Sequence, residues 1–409
     1  MKHVIIGAGA SGVTAARTIR TLQPKDEIVL ISEDKQVTSR CLLHKYINGE
    51  RTVNALSFVP EGFFDENRIQ WRSGVKVTGV DARAMTVNCG EEAIHYDKLL
   101  IASGASSTIP PIGALKSASN VFCLRHFTDA ENIRAAAMQA QRVVIIGAGL
   151  VGLDAAYALL EMKKEVDVVE VAPYILALNL DCRAAEAYQT RFEKAGCRFH
   201  LGKKVTDTIE DSNGKVTQIV LDNGSSTLPC DFLVVATGVK PEVSFLEGSG
   251  IICDKAVMVD KYMTTNYSNV YAAGDVAGLS GNWPNAMRQG EIAARNMCGE
   301  HKVYEDKYAL KNTINFFNLL TLSLGRTLPV EGDIVEQRED SKIYQKVIIR
   351  EGRVIGVILQ GDISYSGYWQ YLVKNGIQVD KLNIPIWKIS FADFCALDET
   401  GEYRWAVND

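Results

Sequence analysis

The amino-acid sequence predicts an α/β chain: two related dinucleotide-binding units built on parallel strands, then a separate α+β domain. Three observations carry this expectation. An apolar run, His3-Val4-Ile5-Ile6, enters Gly7-Ala8-Gly9-Ala10-Ser11-Gly12, a G-x-G-x-x-G turn, and residues 13–22 then read as a helix. The pattern returns at Val143-Val144-Ile145-Ile146-Gly147-Ala148-Gly149-Leu150-Val151-Gly152, where Val4, Ile5, Ile6, Ala8, Ala15 and Ala16 find identical residues. Tyr96-Asp97-Lys98-Leu99-Leu100-Ile101-Ala102-Ser103-Gly104 is likewise echoed by Cys230-Asp231-Phe232-Leu233-Val234-Val235-Ala236-Thr237-Gly238. The repeat therefore spans a whole supersecondary unit, as in a duplicated nucleotide-binding module.

The elements follow in order. Residues 28–32 form an apolar strand ending at Glu33-Asp34. An acidic residue about 20 positions beyond the glycines suits an adenosine ribose; the alternative for Glu33 is a solvated strand-end charge. Residues 36–50 give a polar lead-in and a helix-like stretch centred on 39–46. Residues 75–80 alternate as a strand, and 85–87 continue after a turn. Pro110-Pro111 marks a linker, and 129–141 a helix capped by Thr128 or Asp129. In the second unit, 166–171 is the strand after the glycine helix and ends at Glu170; 183–195 reads as a helix. Asn213-Gly214 and Asn223-Gly224 predict hairpins with type I′ turns over 210–224. Residues 284–297 form a further helix. From about residue 308, strand patterns at 313–317, 346–350 and 354–360 and a helix at 368–374 define the last domain.

The totals exclude several classes. The chain has 409 residues, room for two to four domains, and 47% hydrophobic with 23% charged residues suits a globular protein. A net charge of −5 gives no reason to expect nucleic acid or an anionic membrane as partner. No apolar run reaches the ~18 residues of a membrane span. The first strand leaves no room for a removable leader, so a cytoplasmic location is expected. Nine cysteines, an odd number without a C-x-x-C pair, argue against an iron–sulfur cluster, a metal site or a disulfide framework. Two nucleotide sites in one chain suggest that electrons pass from one bound dinucleotide to the other.

Ala236-Thr237-Gly238-Val239-Lys240-Pro241 and Ala273-Gly274-Asp275 complete an ordered set of five motifs. With them, residues 1 to about 305 resemble the flavin-dependent pyridine nucleotide–disulfide oxidoreductases. Trp283-Pro284-Asn285-Ala286-Met287-Arg288-Gln289-Gly290 and Asn315-Phe316-Phe317-Asn318 are similar to the branch holding NADH:rubredoxin reductases, the flavoprotein segment of nitrite reductases and NADH oxidases. The resemblance implies two Rossmann-like domains: a discontinuous FAD domain, 1–110 with 240–305, and an inserted NAD domain, 111–239. Residues 306–409 stand where the family has its dimerisation domain, which implies a homodimer.

The resemblance also implies site residues. Gly7, Gly9 and Gly12, with the amides of Ala10 and Ser11, would hold the FAD pyrophosphate, and Arg40 would reach it. Glu33 would bind the ribose, the Val77 backbone the adenine, and Gly274 and Asp275 the ribityl chain; the alternative for Asp275 is a turn-capping aspartate. Gly147, Gly149, Leu150, Val151, Gly152 and Gly238 would hold NAD(H). Glu170, with no basic residue at 171–176, favours the free 2′-hydroxyl of NADH over the phosphate of NADPH.

For the chemistry, relatives carry a lysine near flavin N5 paired with a carboxylate on the second glycine helix. Lys45 and Asp154 fit these places, although glutamate is usual at the second; both also read as ordinary helix-surface charges. Cys41, with Tyr46 five residues on, matches the spacing of the single-cysteine branch of NADH oxidases, peroxidases and coenzyme A disulfide reductases. Arg40-Cys41-Leu42-Leu43-His44-Lys45 is nearer to the electron-transfer reductases, where proline replaces the cysteine. Cys41 thus reads as a packing residue or as a redox thiol. Trp283, Met287, Phe316 and Phe317 read as flavin-facing or as core. Three functions stand open: a NADH reductase, reversible in principle, of a small carrier such as rubredoxin or a ferredoxin-like protein; a thiol enzyme acting through Cys41 on oxygen, peroxide, coenzyme A disulfide or persulfide; and a non-catalytic NADH-sensing flavoprotein.

Overall fold

Lys2–Ile6 is the middle strand of a five-stranded parallel sheet in the computed structural model. The order is Val270–Ala272, Lys98–Ile101, Lys2–Ile6, Glu27–Ser32, Gln70–Ser73. Val4 lies opposite Val29 on one side and Leu99 on the other. Val4 and Ile5 are both fully buried, as a parallel strand covered on two faces requires. Ile5, Leu30 and Leu100 pack under Ala15, Ile19 and Ile292 of the helices Ala10–Leu22 and Trp283–Met297. Those helices meet at their backbones: a Cβ on Gly290 would stand 2.2 Å from Ser11 O. Val4, Val29 and Leu99 face the other way, against Val80 and Val87 of an antiparallel sheet, Gly79–Asp81, Thr86–Cys89 and Glu92–His95. The strand Val270–Ala272 comes back from far along the chain to pair with Lys98–Ile101.

A second parallel sheet has the order Arg198–Leu201, Glu165–Glu170, Arg142–Ile146, Phe232–Val235, Val121–Phe122. The helix Leu150–Glu161 follows its central strand. Val205–Glu210, Val216–Leu221 and Ser226–Pro229 form an antiparallel sheet beside it.

The structure describes residues 1–409 except 280, 306–310, 398 and 406–409, and only the backbone of 396 and 403–405. Two compact units emerge: Met1–Ala172 with Ala195–Asp306, and Pro173–Lys194 with Lys307–Asp409. In the second, Lys311–Phe316, Leu319–Gly325, Arg353–Gln360, Tyr344–Arg350 and Ile334–Glu339 make an antiparallel sheet, with the helix Ser366–Asn375 on its apolar face.

Local expectations are corrected in four places. The helix Cys182–Lys194, placed by sequence in the inserted domain, belongs to the second unit. Tyr188 Oη bonds Ile314 O, Leu319 O and Thr321 Oγ1 there, and Asp181 takes bonds from Tyr344 and Lys346. Its partners lie more than a hundred residues away, so nothing local announces them. The strand expected from residue 75 begins only at Gly79. The helix expected from Thr128 or Asp129 is Phe127–Gln139, because the Asp129 carboxylate reaches back to the N–H groups of Arg125 and His126. At Asn213-Gly214 only the glycine has positive φ, so no type I′ turn forms; Asp222 and Asn223 do adopt the left-handed conformation.

Candidate flavin and nicotinamide sites

The two glycine turns are built alike, and each glycine has its own reason. Gly7 and Gly147 both have φ +107°, and a Cβ on either would collide with a carbonyl, Ala102 O at 2.2 Å or Ala236 O at 2.5 Å. Gly12 and Gly152 pack on the turn itself: a Cβ would stand 1.9 Å from Gly7 O or Gly147 O. At Gly9 and Gly149 nothing lies within 4 Å of an added Cβ. Those two glycines keep open space at the start of a helix whose N-terminus has no side-chain cap. Free N–H groups and the helix dipole make such a place receptive to phosphate.

A cavity of about 520 Å³ opens at the first turn. Gly7, Gly9, Ala10, Ser11, Glu33, Arg40, Cys41, Val77, Gly274 and Asp275 all line it. Gly12 does not, in keeping with its packing role. Glu33 is exposed, 3.6 Å from Lys76 Nζ. Gly274 donates its N–H to the fully buried Gln289 Oε1 at 2.8 Å, and Ser11 Oγ donates to Ala273 O at 3.2 Å. These bonds tie the Ala273-Gly274-Asp275 turn to both helices.

Among the lining residues not anticipated from sequence are Arg125, His126, Asp34 and Glu242. Arg125 Nη2 bonds Asp275 Oδ2 at 2.6 Å, and its Nε bonds Ala105 O at 3.0 Å. Asp34 accepts from His126 Nδ1 at 3.1 Å and faces Arg40 Nη2 at 3.8 Å. Glu242 takes the hydroxyls of Ser106 and Ser244. Asp34 stands beside Glu33 at the acidic strand end, and nothing in the sequence pattern marked the other three.

These residues fit FAD. Arg40 Nη1 is buried in this cavity with no hydrogen-bond partner. Burial and the nearby Arg125 push the Arg40 pKa down to about 10, with Asp34 and Asp275 opposing. A buried, half-satisfied guanidinium beside an uncapped helix start calls for a bound anion.

At the second turn, Glu170 closes the strand Glu165–Glu170. Its carboxylate accepts from Ala148 N at 2.7 Å and Ala172 N at 2.9 Å, fixing it against the glycine turn. Leu150 and Val151 begin the helix, and the Val151 side chain is exposed. Gly238 has φ +103° with open space where a Cβ would be, and its carbonyl accepts from Thr108 N.

The expected Lys45–Asp154 ion pair is corrected. Lys45 Nζ lies 2.6 Å from Glu50 Oε1, and no Lys45–Asp154 pair forms among the described residues. Asp154 Oδ1 faces His44 Nδ1 instead, at 3.5 Å. The short aspartate stays close to its own helix, and Glu50 is nearer to the lysine in the chain. Burial pushes the Asp154 pKa up to about 8, against the Lys45 charge, and pushes His44 down to about 4. Cys41 is exposed to the cavity, yet its thiol is pushed up, first by burial and then by Asp154. Tyr46 packs edge-on to Phe127 at 4.8 Å beneath Arg134, whose Nη1 bonds the Tyr46 carbonyl. Trp283 lines the cavity, its ring 4.8 Å from Phe58, whereas Phe316 and Phe317 pack against Phe192 in the second unit. Met287 is half-buried and does not line the cavity. No disulfide forms among the described cysteines, and no helix among the described residues is long and apolar enough to cross a membrane.

Comparison with known proteins agrees with this geometry. Residues 1–290 match the pyridine nucleotide-disulphide oxidoreductase family, and residues 311–377 match the rubredoxin NAD+ reductase C-terminal domain. The chain is 30% identical over 387 residues to the NADH-dependent phenylglyoxylate dehydrogenase subunit epsilon of Aromatoleum evansii, covering 91% of both chains. It is 32% identical over 314 residues to a rubredoxin-NAD(+) reductase of Pseudomonas putida, covering 73% of this chain and 80% of that one. A ferredoxin reductase from Rhodopseudomonas palustris has the same fold, with a TM-score of 0.83, 25% identity, and coverage of 93% and 96%. With its paired glycine turns and matching family model, this chain belongs to the pyridine nucleotide–disulfide oxidoreductases, enzymes that work with FAD and NAD(H).

Proposed function

We propose that this protein moves electrons between NAD(H) and a small iron–sulfur protein of the rubredoxin or ferredoxin type, with bound FAD as intermediary. The observation that carries the reading is the pair of like-built glycine turns, one with the cavity of Arg40 and Asp275, the other with Glu170. FAD, when bound, accepts hydride from NADH and gives up electrons singly. The chain's own residues do the rest. Ala10, Ser11 and Arg40 bind and orient the pyrophosphate at the uncapped helix start. Arg125 holds Asp275 in the cavity. Glu170 is set to take the ribose hydroxyls of NADH. Lys45, held by Glu50, places a cation on the helix Leu43–Ile47. The near full-length relative is a subunit of a dehydrogenase, which supports an acceptor that is either a free carrier or a partner subunit.

A thiol enzyme acting through Cys41 is the second reading, favoured by that residue's place in the cavity. The raised thiol pKa weighs against it, because the thiolate is the reactive form. Anaerobic titration with NADH and dithionite separates the two. Uptake of two electrons per FAD, with rubredoxin or ferredoxin reduction surviving Cys41→Ser, supports the carrier reading. Uptake of four, or loss of all NADH oxidation in Cys41→Ser, overturns it.

A further inference from the structure

Two aromatic rings, Phe245 and Trp283, line the cavity at the first glycine turn. They belong to opposite faces of the first parallel sheet. Phe245 packs with Val75 and Val77 against the cluster of Val4 and Leu99. Trp283 meets Phe58 edge-on, at 4.8 Å and 90°, and Phe58 packs against the cluster of Ile5 and Leu100. The glycine turn lies between them, where the strand Lys2–Ile6 ends. A dinucleotide with its pyrophosphate on that turn therefore has one ring system on each side. The Gly274-Asp275 turn is on the Trp283 side, since Gly274 N–H is bonded to Gln289 of the helix that Trp283 begins. With Asp275 on the ribityl chain, adenosine falls beside Phe245 and the isoalloxazine beside Trp283.

Trp283 is fixed from two directions. It is the first residue of its helix, whose start is set by Asn282 Oδ1 accepting from Asn285 N at 2.9 Å and by Pro284 at the next position. From the other side the edge of Phe58 braces its ring. An indole carries no charge and accepts no proton. What it supplies at the cavity is a flat, rigid, apolar wall.

We propose that Trp283, braced by Phe58, walls the isoalloxazine end of the cavity against dioxygen and so keeps the flavin's electrons for the protein carrier. The inference rests on the carrier reading above. The reaction it prevents moves two electrons from reduced flavin to O2, with one proton from the flavin and one from solvent, and yields oxidised flavin and hydrogen peroxide. Its first electron creates superoxide, an anion that needs a cation beside it. The rest of the lining agrees with the assignment. Arg125 is bonded to Asp275, Lys76 Nζ lies 3.6 Å from Glu33, and His126 is bonded to Asp34. Lys45 is not part of the lining, and Arg40 is the cation left for the pyrophosphate.

FAD titration of the apoprotein tests the placement. It is expected to quench tryptophan fluorescence, and Trp283→Phe is expected to lose most of that quench, because no other tryptophan among the described residues lines the cavity. An undiminished quench in Trp283→Phe overturns the proposal. Stopped-flow reoxidation of the anaerobically reduced holoenzyme by dissolved oxygen, with no carrier present, tests the wall. Per bound FAD, Trp283→Ala is expected to reoxidise about 10-fold faster than the parent, and Trp283→Phe within about twofold of it. Phe58→Ala leaves the lining intact and frees the ring, with a rise of about threefold expected, and it carries the test where Trp283→Ala does not retain FAD. Reoxidation at the parent rate in Trp283→Ala, or in Phe58→Ala where that variant stands in, overturns the proposal and leaves the carrier reading untouched. Failure to reduce rubredoxin or ferredoxin, with the quench and the oxygen rates as expected, counts against the carrier reading alone.

Discussion

Alanine at the middle and at the last glycine of each turn separates binding from folding. At Gly12 an added methyl carbon would stand 1.9 Å from Gly7 O, with Gly7 C at 3.1 Å and Ile5 Cγ2 at 3.3 Å behind it. Real Cβ contacts do not fall below 3.0 Å, so about 1 Å of movement is needed, and the obstacle is backbone that no rotamer change can clear. We expect Gly12→Ala to cost about 2–4 kcal/mol, a large part of a typical domain's stability. Gly9 is the opposite case. Its φ of −81° suits alanine, and nothing lies within 4 Å of the new methyl. Gly9→Ala should melt like the parent but hold a phosphate further from the amides of Ala10 and Ser11. We expect FAD affinity to fall about 10- to 100-fold, or about 1.4–2.8 kcal/mol. Gly149→Ala and Gly152→Ala repeat the experiment for NADH. The assay is thermal unfolding together with FAD titration of the apoprotein, and NADH KM for the second pair. Undiminished FAD affinity in Gly9→Ala would refute the placement of the pyrophosphate at this turn, and an unchanged Tm in Gly12→Ala would refute the packing argument.

Arg40→Met should weaken FAD binding about 10-fold or more, and Arg40→Lys should restore only part of it, since one ammonium cannot replace a forked donor; full affinity in Arg40→Met, by apoprotein titration, rules out a pyrophosphate contact. Combining Glu170→Ala with Val171→Arg should raise kcat/KM for NADPH and lower it for NADH, because Val171 is 69% exposed and free to carry a cation; an unchanged ratio removes Glu170 from ribose recognition. His44 and Asp154 should bend the stability profile in opposite senses. The folded His44 pKa lies below its ordinary value, so its contribution is lost as pH falls from 6.5 towards 4. The folded Asp154 pKa lies above its ordinary value, so its contribution is present below 3.8 and lost as pH rises towards 8. Asp154→Asn should therefore flatten the loss of Tm between pH 4 and 8, and His44→Gln the loss below 6.5, read by thermal melts across pH.

What the sequence made legible is what the chain decides locally. The glycine turns, the strands that feed them and the small residues on the following helices lie within a few positions of one another, so spacing alone defines their geometry. Glu170 was legible for the same reason. Arg125 was not, because its meaning is the Asp275 carboxylate, which folding brings to it from 150 positions away. The helix read at 183–195 could be seen in the sequence, but not what it packs against. Tyr188 and Asp181 find their partners only once the antiparallel sheet of the second unit exists.

The exchange of partners around Lys45 is the more instructive miss. The family resemblance implies a lysine near the flavin paired with a carboxylate on the second glycine helix, and Lys45 and Asp154 stand at those two places. Burial decides otherwise. A carboxylate on the helix of the second glycine turn loses water before it gains a cation, and one methylene less than glutamate shortens its reach. Glu50, nearly half exposed, keeps its hydration and still meets Lys45 at 2.6 Å, so the lysine is held at little desolvation cost. Asp154 is left beside an imidazole that burial keeps neutral, and a protonated carboxyl is the form that such a place stabilises. The aspartate in place of glutamate is therefore not a weaker copy of the family's ion pair. It leaves the lysine with a surface carboxylate and Asp154 as a half-buried carboxyl beside a neutral imidazole.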